Sequence, residues 1–194
     1  MHETGAPPAE VHPHLSAVAH IRALPPRRRI VVACASVVLA AGCFARFGLS
    51  AQAFVGAILA VALALLTAID LDRRLLPDAI VLPTLAVVLV LQIAFYPDHA
   101  LEWVLAALAA ALFFFVPFLI YPAGMGMGDV KLAALLGAAL GKSVAAAIAV
   151  GLFAGGAFAL FVIAREGVGA RKKAIPFGPF LAFGGLVVLF LGGR

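Results

Sequence analysis

The sequence predicts an all-α fold: a polytopic membrane helix bundle of about six to seven spanning or half-spanning helices. The chain has 194 residues, of which 65% are hydrophobic and 12% are charged. Soluble domains are about half apolar and about a quarter charged. The mean hydropathy of +1.16 and several apolar runs close to the ~20 residues of a spanning helix place the chain among membrane proteins.

The chain is expected to divide into a tail and one membrane domain. Residues 1–29 are polar and rich in proline, which predicts a disordered cytoplasmic tail. Residues 30–194 contain the apolar runs and are expected to form the membrane-embedded domain. Cys34 and Cys43 both lie in the first run and form no Cys-x-x-Cys pair, so a structural zinc site is not predicted.

The predicted membrane segments follow the apolar runs in order. A short helix at 130–140 should rise only ~17 Å and is expected to be a half-span or a shielded helix, ending at the Gly141-Lys142 turn. The other runs, predicted as spans, cover 30–49, 51–69, 79–96, 101–121, 143–164 and 177–191.

The basic residues predict the orientation of the chain. The tail and the segments 70–78, 122–131 and 165–176 hold eleven Lys and Arg residues, against three, Arg46, Lys142 and Arg194, expected on the opposite side. The side with more basic residues is usually cytoplasmic. We therefore expect a cytoplasmic N-terminus, and we attribute the net charge of +5 to membrane topology rather than to nucleic-acid binding.

Two aspartates at the ends of apolar segments are the main functional candidates. Asp70 ends the second run, and Asp129 follows Gly126-x-Gly128 and opens the short helix. A carboxylate at a membrane boundary is costly unless it is used. Two neighbouring carboxyl groups cannot both ionise cheaply, so the pair holds an acid and a base at once. Such a pair can activate water against a peptide bond without a metal or cofactor.

Simpler interpretations of the polar residues stay open. Asp129 is alternatively only a helix cap, and Asp70 only a solvated loop residue. Asp72 is expected to pair with Arg73 or Arg74, or to face headgroups, and Asp78 after Pro77 is expected to cap the third span. Lys131 orients or balances the site, or only enforces topology. The five histidines show no metal-ligand pattern and are expected to be solvated.

Three motifs in order resemble a known family. They are Ile-Asp-x-Asp-x-x-x-Leu-Pro-Asp at 69–78, Gly-x-Gly-Asp-x-Lys at 126–131 and Ile-Pro-Phe-Gly-Pro at 175–179. Together they resemble the bacterial type IV prepilin peptidases, which are Gly-x-Gly-Asp membrane aspartic proteases. The resemblance covers residues 51–190 and identifies residues 30–194 as a membrane-embedded aspartic peptidase domain.

The resemblance implies the roles of the site residues. It makes Asp70, rather than Asp72, the catalytic partner of Asp129. It implies cleavage of a short basic leader, usually after a Gly, from prepilin or pseudopilin precursors at the cytoplasmic side of the inner membrane. The residues expected to shape the site or contact substrate are Gly126, Gly128, Lys131, Asp78, Pro176 and Gly178.

The chain departs from the long form of that family. The long form carries an N-terminal cytoplasmic insert, often with two Cys-x-x-Cys pairs, and also methylates the new amino terminus. Here the first two runs are separated only around Gly48, so a protease-only short form serving a pilus or secretion system is expected. Two alternatives are a small transporter using boundary carboxylates, which predicts an inverted repeat, and a presenilin-like protease that cuts within spans.

Overall fold

The computed structural model describes residues 17–22, 24–121, 126–166 and 176–192. These residues form helices joined by short turns and contain no strand, so the predicted all-α class is confirmed. The helices are α1 (Ala17–Arg22), α2 (Pro26–Phe47), α3 (Ala51–Arg73), α4 (Asp78–Phe95), α5 (Ala100–Ile120), α6 (Met127–Leu140), α7 (Val144–Glu166) and α8 (Gly178–Leu191).

Five segments are long and apolar enough to cross a membrane, which makes the chain a multi-pass membrane protein. Four of them correspond to α2, α3, α4 and α5 with the turn before it. The fifth, Met127–Glu166, contains both α6 and α7. Gly141 interrupts it with a φ of 56°, a backbone conformation that favours glycine. The predicted break at Gly141 is therefore present, while α6 as a half-span stays a prediction.

Two helices extend beyond their predicted apolar runs. The first begins at Pro26, because proline is well tolerated in the first turn, so the predicted boundary at residue 30 lies inside α2. The second, α3, continues through Asp70 and Asp72 to Arg73. Helical hydrogen bonding continues past the last apolar residue until Arg74, whose left-handed φ of 53° ends the helix.

Glycines allow neighbouring helices to touch backbone to backbone. A Cβ atom added at Gly137 of α6 would lie 2.6 Å from the Ala107 Cα atom of α5. A Cβ atom at Gly184 of α8 would lie 2.8 Å from the backbone nitrogen of Gly151 in α7. Small residues permit this close approach between membrane helices. The pairs α5–α6 and α7–α8 therefore pack backbone to backbone at these points.

The two ends of the bundle carry different polar groups. At one end, which we call the aspartate end, lie Asp70, Asp129 and the start of α8. At the opposite end, the buried Gln92 side chain of α4 donates a 2.8 Å hydrogen bond to the Ala139 carbonyl of α6. There the Lys142 ammonium also lies 3.1 Å from Glu102. These contacts hold α4 and α5 against the end of α6, whose start carries Asp129.

Candidate active site

The structure brings Asp70 and Asp129 together at the aspartate end. Asp70 lies in the last turn of α3 and is only 5% exposed. Asp129 lies in the first turn of α6 and is partly buried. The charge of Asp70 acts on Asp129, so the two carboxyl groups are close enough to influence each other's ionisation. Within the described part of the chain, the buried Oδ2 atom of Asp70 has no hydrogen-bond partner.

The glycine motif before Asp129 sets the start of α6. Gly126 is the residue that caps the helix, and Asp129 is its third residue, so the alternative that Asp129 is itself the cap is wrong. The Asp129 backbone N–H donates a 3.1 Å hydrogen bond to the Gly126 carbonyl. The backbone N–H of Gly126 in turn faces the Asp129 carboxyl group. This reciprocal arrangement, similar to a capping box, holds the carboxyl group at the positive end of the helix.

The first residue of α8 lies directly against Asp70. A Cβ atom at Gly178 would lie 2.6 Å from the Asp70 Oδ2 atom and 3.3 Å from its Cγ atom. Only a residue without a side chain fits at this distance. Phe177 precedes Gly178 as the helix cap, and Pro176 begins the described segment beside it. The motif at 175–179 therefore reaches the site through Gly178, while Ile175 lies outside the described residues.

Leu76 is a site residue that the sequence analysis did not single out. Its side chain is 7% exposed although it lies in the connection between α3 and α4. A Cβ atom at Gly128 would lie 2.7 Å from the Leu76 Cβ atom, and one at Gly178 would lie 3.5 Å from its Cδ1 atom. Leu76 therefore packs beside both glycines. The available sequence signal was its place as the fixed leucine of the motif at 69–78.

Asp78 and Lys131 form an ion pair next to the two carboxyl groups. The Lys131 ammonium donates a 2.6 Å hydrogen bond to Asp78 Oδ1, with the side chains 27% and 48% exposed. Asp78 is the first residue of α4, and Pro77 takes the cap position without a side-chain hydrogen bond. The prediction that Asp78 caps this helix is therefore wrong. Its carboxylate bonds to the ammonium group of α6 instead.

Asp72 bonds to a partner on another helix. Arg28 of α2 donates a 2.6 Å hydrogen bond to the Asp72 carboxylate. The prediction of a local partner, Arg73 or Arg74, overlooked Arg28, because the fold brings the start of α2 to the end of α3. The Asp72 carboxylate thus links α3 to α2 through Arg28. The Asp70 carboxyl group, two residues earlier, points to Gly178.

His20 is buried rather than solvated. It lies on α1 and is 1% exposed, so the expectation of a solvent-exposed histidine is wrong for this residue. Neither ring nitrogen has a hydrogen-bond partner within the described ranges. Burial, with a contribution from the positive charge of Arg73, lowers the pKa of His20 from its ordinary value. The reason is that Ala17 of α1 packs against the hydrophobic core and Leu24, just after α1, is part of that core.

Comparison with known proteins assigns the family. A family model described as the type IV leader peptidase family matches residues 57–192. The chain belongs to this family. The match includes Asp70 and Asp129 and runs from α3 to α8. The resemblance expected from the three motifs is therefore confirmed. Among the described residues, no group of three or more His, Cys, Asp or Glu side chains could hold a metal ion.

Several relatives within the type IV leader peptidase family carry the name prepilin leader peptidase/N-methyltransferase. One from Burkholderia pseudomallei is 36% identical over 164 residues, which are 81% of this chain and 53% of that protein. One from Xanthomonas campestris pv. campestris is 34% identical over 156 residues, 76% of this chain and 53% of that protein. This family member thus spans about half the length of the curated relatives it matches. No solved structure matches the chain.

Proposed function

We propose that the chain is a prepilin leader peptidase, a membrane aspartic endopeptidase in which Asp70 and Asp129 form the catalytic pair. The observation that carries this proposal is the convergence of these two carboxyl groups from the end of α3 and the start of α6. Membership of the type IV leader peptidase family supports it. The substrates are prepilin or pseudopilin precursors, whose short basic leader is removed.

The pair supplies an acid and a base for hydrolysis of the peptide bond. The ionised carboxylate takes a proton from a water molecule while the protonated carboxyl group donates its proton to the scissile carbonyl oxygen. Water oxygen bonds to the carbonyl carbon and gives a tetrahedral diol. Collapse of the diol breaks the carbon–nitrogen bond. One diol hydroxyl returns its proton to the ionised carboxylate as the carbonyl re-forms, and the protonated carboxyl group gives its proton to the leaving amine. One bound proton shared by two carboxyl groups satisfies both steps.

The surrounding residues support distinct parts of this reaction. The Gly126 N–H stabilises the Asp129 carboxyl group, and Gly128 brings α6 close to the connection before α4. Gly178 lies directly beside Asp70, and we propose that Pro176, two residues earlier, helps to close the site. Asp78 and Lys131 hold the starts of α4 and α6 together by their ion pair. None of these roles requires a cofactor.

The cytoplasmic side of the bacterial inner membrane is the proposed location of the aspartate end. Arg28, which bonds to Asp72 at this end, belongs to the run Arg27–Arg29, and such clusters of basic residues are retained in the cytoplasm. The N-terminal tail would then be cytoplasmic and the membrane-embedded peptidase domain would begin with α2. Reporter fusions after Arg22 and after Asp98 should give opposite topologies, with Arg22 inside. Equal reporter signals at both positions would contradict this orientation.

We propose only the peptidase activity for this chain. The methyltransferase part of the relatives' name applies to those longer proteins. Family membership favours peptidase activity over transport, and the placement of both aspartates at helix ends supports cleavage near the membrane boundary rather than within a span. Membrane lipid surrounds the enzyme and the apolar helix of its substrate.

The test is cleavage of a pilin precursor co-expressed from the same genome, scored by a mobility shift. Asp70→Asn and Asp129→Asn should each abolish cleavage while leaving the protein in the membrane. Asp98→Asn, in the turn at the opposite end, is the matched control and should cleave normally. Asp72→Asn should retain cleavage because the Asp72 carboxylate accepts a hydrogen bond from Arg28 and is not part of the proposed catalytic pair. Cleavage by either Asp70→Asn or Asp129→Asn would refute the proposed pair.

A further inference from the structure

Leu76 is a buried side chain where the two aspartate-bearing elements meet. Gly128, against which it packs, immediately precedes Asp129, and Gly178, on its other side, lies against Asp70. A Cβ atom added at Gly128 would lie 2.7 Å from the nearest Leu76 atom, and one added at Gly178 would lie 3.5 Å from Leu76. The Leu76 side chain therefore occupies the space between the backbone beside one carboxyl group and the backbone beside the other.

The connection that carries Leu76 is bonded at its start to α3 and at its end to α6, the two helices that carry the aspartates. At its start, Arg74 has a left-handed φ of 53°, and its N–H donates a 2.8 Å hydrogen bond to the Asp70 carbonyl. At its end, Asp78 bonds to Lys131, two residues after Asp129, at 2.6 Å. Leu76 thus cannot move far from the site without breaking a contact to α3 or to α6.

We propose that Leu76 is a positioning residue that acts as a spacer and sets the separation of the Asp70 and Asp129 carboxyl groups. This inference rests on the proposed peptidase function. A smaller side chain would let the Gly128 and Gly178 backbones approach each other, and a larger one would push them apart. The separation of the carboxyl groups determines how strongly ionisation of one opposes ionisation of the other.

The two possible roles of Leu76, a spacer or a residue that only fills the core, predict different pH profiles for its variants. If Leu76 only fills volume, its substitutions lower stability and the amount of active enzyme, and the pH dependence of each active molecule stays unchanged. If Leu76 sets the spacing, the two limbs of the bell-shaped pH profile of kcat/KM change their separation. Closer carboxyl groups interact more strongly and spread the limbs, while more distant ones bring the limbs together.

The experiment measures cleavage of a purified pilin precursor across pH with the full-length enzyme in detergent. Leu76→Ala should spread the two limbs, and Leu76→Phe should bring them together. Both should lower kcat by about 100-fold, the effect of a misplacement of about 1 Å. Leu76→Met, of similar volume, should retain the wild-type profile and most of the rate. Leu71→Ala, at a 57% exposed leucine on α3, is the matched control and should leave rate and profile unchanged.

The outcomes separate this inference from the function on which it rests. Wild-type cleavage that Asp70→Asn abolishes establishes the peptidase reaction first. If the wild-type enzyme does not cleave, the proposed function fails and the spacer role fails with it. If it cleaves but Leu76→Ala and Leu76→Phe leave the limb separation unchanged, or change it in the same direction, only the spacer role is overturned. Leu76→Val replaces Leu76→Ala, with the same expected sign, if the alanine variant does not fold.

Discussion

The contact between Gly178 and Asp70 provides a sharp test of the proposed site. In Gly178→Ala, the new Cβ atom would begin 2.6 Å from the Asp70 Oδ2 atom, whereas ordinary contact starts at 3.4 Å. Relief therefore requires a displacement of about 0.8 Å, the difference between these two distances. The α8 backbone cannot easily supply it, because Gly184 already touches the backbone of α7. The Asp70 carboxyl group must move instead.

A displacement of this size should slow the reaction without unfolding the protein. Misplacement of a catalytic group by about 1 Å costs up to about 100-fold in rate, so we expect Gly178→Ala to lower kcat by about 10- to 100-fold. The assay is the cleavage rate of a pilin precursor by purified enzyme in detergent, with the thermal-unfolding midpoint measured in parallel. A folded Gly178→Ala protein with the wild-type cleavage rate would refute the reasoning.

The matched control for this prediction is Gly156→Ala on α7. A Cβ atom at Gly156 would meet nothing within 4 Å. The substitution adds the same methyl group to a helix and raises helix stability by about 0.5–1 kcal/mol. It should therefore leave the cleavage rate unchanged and raise the thermal-unfolding midpoint slightly. A comparable loss of rate in both variants would show that the effect of Gly178→Ala is not specific to Asp70.

Three further predictions concern packing, pH and charge. Gly137→Ala should overpack the contact with Ala107 and cost about 1–3 kcal/mol of stability, seen as a lower thermal-unfolding midpoint. Burial lowers the pKa of His20 from 6.5, so its stabilising contribution is complete above about pH 6.5 and decreases as the pH drops below that value. The thermal-unfolding midpoint should therefore be lower at about pH 5.5 than at about pH 7.5, and His20→Leu should abolish this difference. Asp78→Asn should cost at most about 1 kcal/mol, and less in high salt, because its ion pair with Lys131 is partly exposed; a larger, salt-independent loss in chemical denaturation would contradict this.

The helices and the two aspartates could be predicted from the sequence, but the ends of the helices could not. Apolar runs mark the part of a helix that faces lipid or the core, whereas the helix itself continues until its backbone hydrogen bonds stop. For this reason α3 continues past Ile69, where the apolar run ends, as far as Arg73. Asp70 was predicted to end the apolar run, and it lies in the last turn of the longer helix.

The partners of the charged residues depend on the fold and carried no sequence signal. Arg28 is 44 residues from Asp72, and Lys131 is 53 residues from Asp78. A single sequence gives no indication of which distant charges meet, so local pairing and capping were the natural expectations. His20 was assigned to solvent because it lies in the N-terminal tail, which was predicted to be disordered. Its burial follows from the packing of α1, which a six-residue helix does not reveal by its own pattern.

The glycine contacts described for the fold also restrict how the molecule can open. At Gly137 the backbone of α6 touches that of α5, and at Gly184 the backbone of α8 touches that of α7 beside Gly151. Each pair should therefore move as one rigid body. Asp129 lies in the first pair and Gly178 in the second. We therefore expect a polypeptide to enter the site between the two pairs. Opening of the site is expected between the two pairs rather than within either of them.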